Sequence, residues 1–449
     1  MRMYKLFSYI VCVAAALAVA ACTHEMEEVA APSETVSLQF VVGDFPAFGE
    51  AETRAIGTPD VGKTAWEFGD ELQIRIDNSQ MGYTPCATLV NNEDGWEIKD
   101  GNICYRDGIT DVKGTVLYAP DYKMLKDGTV QRKDGAGGGR NEYIVGTCTV
   151  DVQNRAVHID FSQAQRNYAR LRIASVPHKS LRVRFTKFAA CPDTEASAYD
   201  YNNVVTDQHG NAFFYGRMEQ NGQIQVRYGE TLLTTYTFSQ ATETGKSYAL
   251  NAPFISAEAM GYEDILNAVQ AQVDANQTDI KILFSESAGG RELTAISEVI
   301  RNQSEGSIDL TVMGMKSVPT KGFSYWNVLR SLQVPDVEEA GLEAFKNCSG
   351  LEVLTAPKLT TLHSGVFRSC PKLVSVTLGA VTYADESQEA VFDSDRTSGI
   401  YLNVSDKQRI LEKGTDNIWR STEDSYFSSS QHDARMFMDH TFQEVIVWW

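Results

Sequence analysis

One interval, 22 residues, governs the C-terminal third of this chain of 449 residues. Phe323, Phe345 and Phe367 keep it, as do Leu329, Leu351 and Leu373, and Leu310, Leu332, Leu354 and Val376. Pro335 and Pro357 share the interval, and Trp326, Cys348 and Cys370 fill a further column. A fourth copy puts Phe392 25 residues after Phe367, an insertion of 3. A fixed period of this length marks a solenoid, because a single unit cannot bury its own apolar face and must stack it on its neighbours. The expected repeat core is Leu310, Phe323, Leu329, Leu332, Phe345, Leu351, Leu354, Phe367 and Leu373. The column Ser324, Lys346, Arg368 reads as solvated. The last residues, 442–448, are expected to cap the array, which occupies 308–449 with that cap.

The phrases Ala344-Phe345-Lys346-Asn347-Cys348 and Val366-Phe367-Arg368-Ser369-Cys370 resemble BspA-type leucine-rich repeats over about residues 308–404. Ahead of them, residues 254–307 change period. Ile265, Ala268, Val269 and Val273 form one helical stripe within 262–275, and 280–284 reads as a strand. Residues 293–300 read as a second helix and 308–312 as a second strand. Such an α/β segment would cap the array on its N-terminal side.

Residues 36–253 have a period of two. Leu72, Ile74 and Ile76 alternate with Gln73 and Arg75; Leu171 and Ile173 with Arg170 and Arg172; Leu181, Val183 and Phe185 with Arg182 and Arg184. Alternation puts apolar groups on one face and solvated ones on the other, the pattern of antiparallel sandwiches. Turn pairs such as Asp127-Gly128 and Asn221-Gly222 separate the strands. The length is large for one sandwich and suggests two packed subdomains. Thr53-Arg54-Ala55, Trp66-Glu67-Phe68-Gly69-Asp70 and Gly245-Lys246-Ser247-Tyr248-Ala249-Leu250 resemble the fimbrillin-like family of Bacteroidota surface lipoproteins. That resemblance implies proteolytic processing at Arg54, freeing a groove for another subunit's strand; an ordinary loop arginine is the alternative. The fold class expected overall is multidomain: an antiparallel β-sandwich region, an α/β cap and a leucine-rich-repeat solenoid.

The first residues give an address. Arg2 and Lys5 precede an apolar run over 6–21, short for a transmembrane helix, and a polar acidic stretch follows Cys22. Val19-Ala20-Ala21-Cys22 resembles the bacterial lipobox. By that resemblance 1–21 is a signal peptide, Cys22 carries acyl chains that hold the protein in outer-membrane lipid, and 22–35 is an acidic tether. Several acyl chains on one residue anchor stably where a single chain is marginal. Glu25, Glu27 and Glu28 resemble the surface-export signal of Bacteroidota lipoproteins, which implies exposure on the cell outer membrane; a merely solvated tether is the equal alternative.

The candidate chemistry is sparse. The net charge of −19 argues against nucleic acid as a partner, which needs a dense basic face. Gly57-Thr58-Pro59-Asp60-Val61-Gly62-Lys63-Thr64 has P-loop spacing, but a P-loop needs a strand before it and a helix after it; Trp66, Gly69 and a two-period strand follow instead, so nucleotide is not expected. Cys86, Cys104, Cys148 and Cys191 have no metal spacing, and one or two disulfides of undetermined pairing stay open among them. Cys348 and Cys370 read as free core thiols, since Trp326 shares their column. With no HExxH, GxSxG or metal cluster, no catalytic residue, metal or cofactor is expected. The reading is a non-catalytic surface lipoprotein that binds a protein or glycan through the repeats. The alternatives are an accessory or anchoring fimbrial subunit, or a glycan-capturing lipoprotein using Tyr199 and Tyr201.

Overall fold

The computed structural model describes residues 38–48, 62–106, 108–164, 166–393, 397–427 and 435–448. Cys22 and Arg54 lie outside the described residues. The described chain is β-rich and multidomain, with two α-helices and one short 3-10 helix (Thr397–Gly399) among its regular elements.

The first part is built from β1 (Gln39–Val42), β2 (Glu71–Ile76), β3 (Cys86–Asn92), β4 (Gly95–Gly101), β5 (Val112–Tyr118), the hairpin β6 (Tyr122–Met124) and β7 (Val130–Arg132), then β8 (Ile144–Asp151) and β9 (Ala156–Asp160). A seven-stranded sheet runs β1-β9-β8-β5-β2-β3-β4. Every pair in it is antiparallel except β1–β9, which is parallel. Leu72, Ile74, Val116, Ile144, Val157 and Phe161 fill its core. Trp66 meets Phe45, Tyr118 and Phe161 at 4.9, 5.3 and 5.3 Å between ring centroids, and its indole N–H donates to Gly43 O at 2.7 Å, tying the segment after β1 to this core. The alternating pattern of β2 fails at one point. Gln73 is buried, and its amide donates to Tyr122 O at 2.7 Å, because the β6–β7 hairpin covers the face expected to be wet.

The second sheet comprises β10 (Ala169–Ala174), β11 (Ser180–Ala190), β12 (Ser197–Val205), β13 (Asn211–Tyr228), β14 (Thr231–Thr237) and β15 (Ser247–Asn251). Its order is β12-β11-β13-β10-β15, with β14 paired to the second half of the long β13. The β10–β15 pair is again parallel, a second departure from the antiparallel expectation. Leu181, Val183 and Phe185 are buried while Arg182 and Arg184 face water. In β10 the reading fails: Arg170 and Arg172 are buried. Arg170 donates to Ser247 Oγ at 2.8 Å and lies over the rings of Phe48 and Phe213, and Arg172 donates to Asn211 Oδ1 at 3.2 Å. A guanidinium tolerates such a place because its planar fork keeps hydrogen bonds while its face stacks on rings.

The last part starts with β16 (Ile255–Ser256), α1 (Tyr262–Asp274), β17 (Asp279–Leu283), α2 (Gly290–Ile300) and β18 (Ile308–Met313). Both helices bury an apolar stripe, Ile265 and Val269 in α1, Leu293, Ile296, Val299 and Ile300 in α2. Glu292 closes the first turn of α2 by accepting the Gly289 N–H at 2.9 Å. Then come β19 (Ser317–Val318), β20 (Leu329–Gln333), β21 (Glu339–Ala340), β22 (Val353–Ala356), β23 (Thr361–Leu362), β24 (Ser375–Leu378), β25 (Tyr383–Asp385), β26 (Tyr401–Ser405), β27 (Arg409–Lys413), β28 (Ile418–Tyr426), β29 (Met436–Phe437), β30 (His440–Thr441) and β31 (Glu444–Trp448).

Two ladders rise side by side. One is an eight-stranded parallel sheet, β16-β17-β18-β20-β22-β24-β26-β31. In it Leu310 pairs with Leu332, Leu332 with Leu354, Leu354 with Val376, and Val376 with Leu402. The other joins β19, β21, β23 and β25 in parallel, stacking Val318, Ala340, Leu362 and Ala384, and is finished by the antiparallel hairpin β27–β28. Between the ladders the rings of Phe323, Phe345, Phe367 and Phe392 stack at 5.7, 5.6 and 4.9 Å. One apolar core runs unbroken from Ile255 to Val445. Leu283 and Met313 also reach into the core of the second sheet, joining the two parts.

Candidate functional site

Leu310, Phe323, Leu329, Leu332, Phe345, Leu351, Leu354, Phe367 and Leu373 are all buried in the stack. They carry its packing and offer nothing to a ligand. The surface that these units present lies in the turns that follow each phenylalanine.

Each turn holds one residue in the left-handed region: Tyr325 (φ 66°), Asn347 (φ 60°) and Ser369 (φ 59°). The Tyr325 N–H donates to Lys346 O at 3.0 Å and the Asn347 N–H to Arg368 O at 2.9 Å, so the turns are in register. Their side chains, with Asn327, Ser349, Pro371 and Asp393, line an open groove of about 460 Å³. Tyr325 is 67% exposed, and neither its ring nor its hydroxyl has a partner among the described residues. Asn327 Oδ1 accepts the Ser349 N–H at 3.1 Å. Asp393 accepts the Ser369 N–H at 2.6 Å and faces Arg368 Nε at 3.5 Å. The Asn347 amide and the Ser369 hydroxyl have no side-chain partner among the described residues. The sequence reading missed this site, although the signal was present: the 22-residue alignment sets a tyrosine in a column otherwise held by Asn347 and Ser369.

In the neighbouring column, read as solvated, Lys346 and Arg368 belong to an ion-pair chain, while the Ser324 hydroxyl donates to Lys346 O at 3.0 Å. Lys346 is only 17% exposed and reaches Glu343 at 2.6 Å and Glu389 at 2.7 Å. Arg368 meets Glu389 at 2.9 Å, and Lys321 meets Glu343 at 3.4 Å. The Lys346 ammonium holds the Glu343 and Glu389 carboxyls below their ordinary range.

At the C-terminal end Glu386 is a node. His440 lies 3.1 Å from it, while the Trp419 indole N–H donates at 2.9 Å, Lys413 at 3.0 Å and the Val391 N–H at 3.2 Å. Burial pushes this carboxyl up, but those partners outweigh it and hold the group at about 2.

The remaining candidates are structural. Tyr199 and Tyr201 stack at 5.8 Å and pack on the core of the second sheet; Tyr201 also meets the Phe185 and Phe214 rings and donates to Gly138 O, so the pair is no free platform. Lys63 is held by Asp70 at 2.8 Å and Glu67 at 3.3 Å, and the chain after it turns into β2 without a helix. A depression of about 400 Å³ on the first sheet is lined by residues including Tyr83, Cys86, Asp100, Asn102 and Lys126. Cys86, Cys104, Cys148, Cys191, Cys348 and Cys370 are free. The Cys348 and Cys370 thiols donate to Phe323 O and Phe345 O at 3.0 and 3.1 Å, which spends them inside the stack. No group of three His, Cys, Asp or Glu side chains is arranged to hold a metal among the described residues.

No protein-family model matches the chain, and no curated protein matches it. Among solved structures it is similar to GBS52, the minor pilin of Streptococcus agalactiae, at 12% identity over 48% of this chain and 93% of that one, with a TM-score of 0.16. A superposition that loose assigns neither fold nor function.

Proposed function

We propose that this protein is a non-catalytic lipoprotein of the cell outer membrane, anchored through acylated Cys22, that recognises a macromolecular partner with its C-terminal stack. In this reading the stack is a leucine-rich-repeat solenoid of the BspA type, and the sheets before it are a fimbrillin-like β-sandwich stalk. The observation that supports recognition is the turn groove at Tyr325, Asn347 and Ser369, where polar side chains and a ring stand without partners among the described residues. Repeated units present such surfaces at fixed spacing, which suits an extended ligand.

The test of recognition uses the full lipidated chain on vesicles, offered to arrays of host glycoproteins and their enzymatically deglycosylated forms. Saturable binding that is blocked by antibody fragments against residues 308–427 is expected. Binding indifferent to those fragments refutes the reading. Anchoring is checked separately: Cys22→Ser should release the protein from membranes under an alkaline wash, and persistent membrane association would contradict it.

A second reading, an accessory or anchoring fimbrial subunit, is favoured by the position of β1. This strand precedes Arg54 and lies parallel on β9, with Leu38, Phe40 and Val42 packed on the first core. A cut after Arg54 would free that edge for another subunit's strand. A dominant new N-terminus at Ala55 in surface-shaved material would raise this reading above the first; peptides crossing Arg54 would set it aside.

A further inference from the structure

We infer that the turn groove is a binding site for a neutral oligosaccharide, with Tyr325 as the stacking platform and Asn347 as its principal hydrogen-bonding partner. The inference rests on the recognition reading above and names the ligand class.

Tyr325 is out of place on both conformational and packing grounds. The left-handed region costs an L-residue energy that Asn and Asp tolerate best, and bulky side chains are uncommon there. Asn347 and Ser369 fill the same column with small polar groups. Tyr325 accepts the cost yet gives its ring to no core and its hydroxyl to no acceptor among the described residues. A strained residue whose side chain does nothing for the fold points to a ligand.

The surroundings select the chemistry. A pyranose offers an apolar C–H face and a rim of hydroxyls, which are donors and acceptors at once. An exposed tyrosine ring matches the face. An amide such as Asn347 matches a pair of neighbouring hydroxyls, since it both donates and accepts. No lysine or arginine lines the groove, and its one carboxylate, Asp393, is already engaged by the Ser369 N–H and Arg368. An anionic ligand would find no cation there and would meet a chain of net charge −19. The groove's volume of about 460 Å³ lies in the range of small-ligand sites.

The experiment is titration calorimetry of the full-length chain in detergent against neutral hexasaccharides of the gluco-, manno-, xylo- and galacto- series and neutral mucin-type glycans. At least one should bind, and Tyr325→Ala and Asn347→Ala should each weaken it about tenfold or more. Tyr325→Phe should bind nearly as the wild type. Tyr401→Ala, on the parallel sheet away from the groove, should change nothing. Tyr325→Asn restores the column residue, so it should fold at least as stably while losing the sugar, which separates binding from folding. The inference is overturned if no neutral glycan binds, if only sialylated or sulfated glycans bind, or if binding ignores Tyr325→Ala. Recognition of deglycosylated protein through the stack would also overturn it, while leaving the recognition reading standing.

Discussion

Tyr325 holds a left-handed backbone with its ring in water, and that geometry has a stability consequence. Tyr325→Asn relieves a left-handed tyrosine, so the stack should gain about 1 kcal/mol, read as a higher melting temperature for its transition. An unchanged or lower value would mean that the ring supports the fold. Tyr325 was legible as an odd member of its column, but its exposure needed the turn geometry. Arg170 and Arg172 alternate with Leu171 and Ile173, as a half-wet strand should, yet both are buried. The alternation says which side chains share a face; it does not say what covers that face. Here β15 pairs in parallel beside β10, and Phe48, distant in sequence, lies over Arg170. Lys346 is half-buried for a related reason: its partner Glu389 comes from the turn two units on.

At the scale of elements, the C-terminal hairpin β27–β28 and the short pair β29–β30 are held to the stack through Glu386. Lys413 and Trp419 come from the hairpin and His440 from β30. The Glu386 carboxyl sits near 2, against an ordinary value of 4.5. A depressed carboxyl stabilises the folded form above its unfolded value, and that contribution disappears as pH falls through the folded one. The window is therefore about pH 4.5 down to about 2, with about 3 kcal/mol at stake. Protection factors at the Val391 and Trp419 amides, with the intrinsic exchange rate at each pH divided out, should fall across that window in the wild type. In Glu386→Gln they should already be low at neutral pH and vary little with acid. A matching acid response in wild type and Glu386→Gln would show that another group holds the closure. None of this was legible in the sequence, because Glu386 and His440 are 54 residues apart and share no period.

The whole molecule divides by how local its rules are. The 22-residue columns can be read directly because each ladder step returns the same residue to the same place: Leu332 against Leu310, Leu354 against Leu332. The first helix was marked by its apolar stripe, the second was read over 293–300, and the period of two marked most strands. The parallel pairs β1–β9 and β10–β15 were not legible, since strand direction depends on which distant segment completes an edge. Nor was the cover that β6 and β7 lay over β2, which leaves no trace in its alternation.

We propose that recognition resides in the stack and not in the sheets before it. It is tested most directly by vesicle-displayed chains carrying one core truncation each, Phe345→Ala or Ile74→Ala, both at fully buried positions. The first should cost about 3–5 kcal/mol and the second about 2–5 kcal/mol, each within its own core. Binding to the glycoprotein array is measured beside limited proteolysis that reports which part has opened. The expected result is that Phe345→Ala opens 308–404 and abolishes binding, while Ile74→Ala loosens the first sheet and leaves binding intact. Binding that survives Phe345→Ala with the stack open, or is lost only in Ile74→Ala, would contradict the claim.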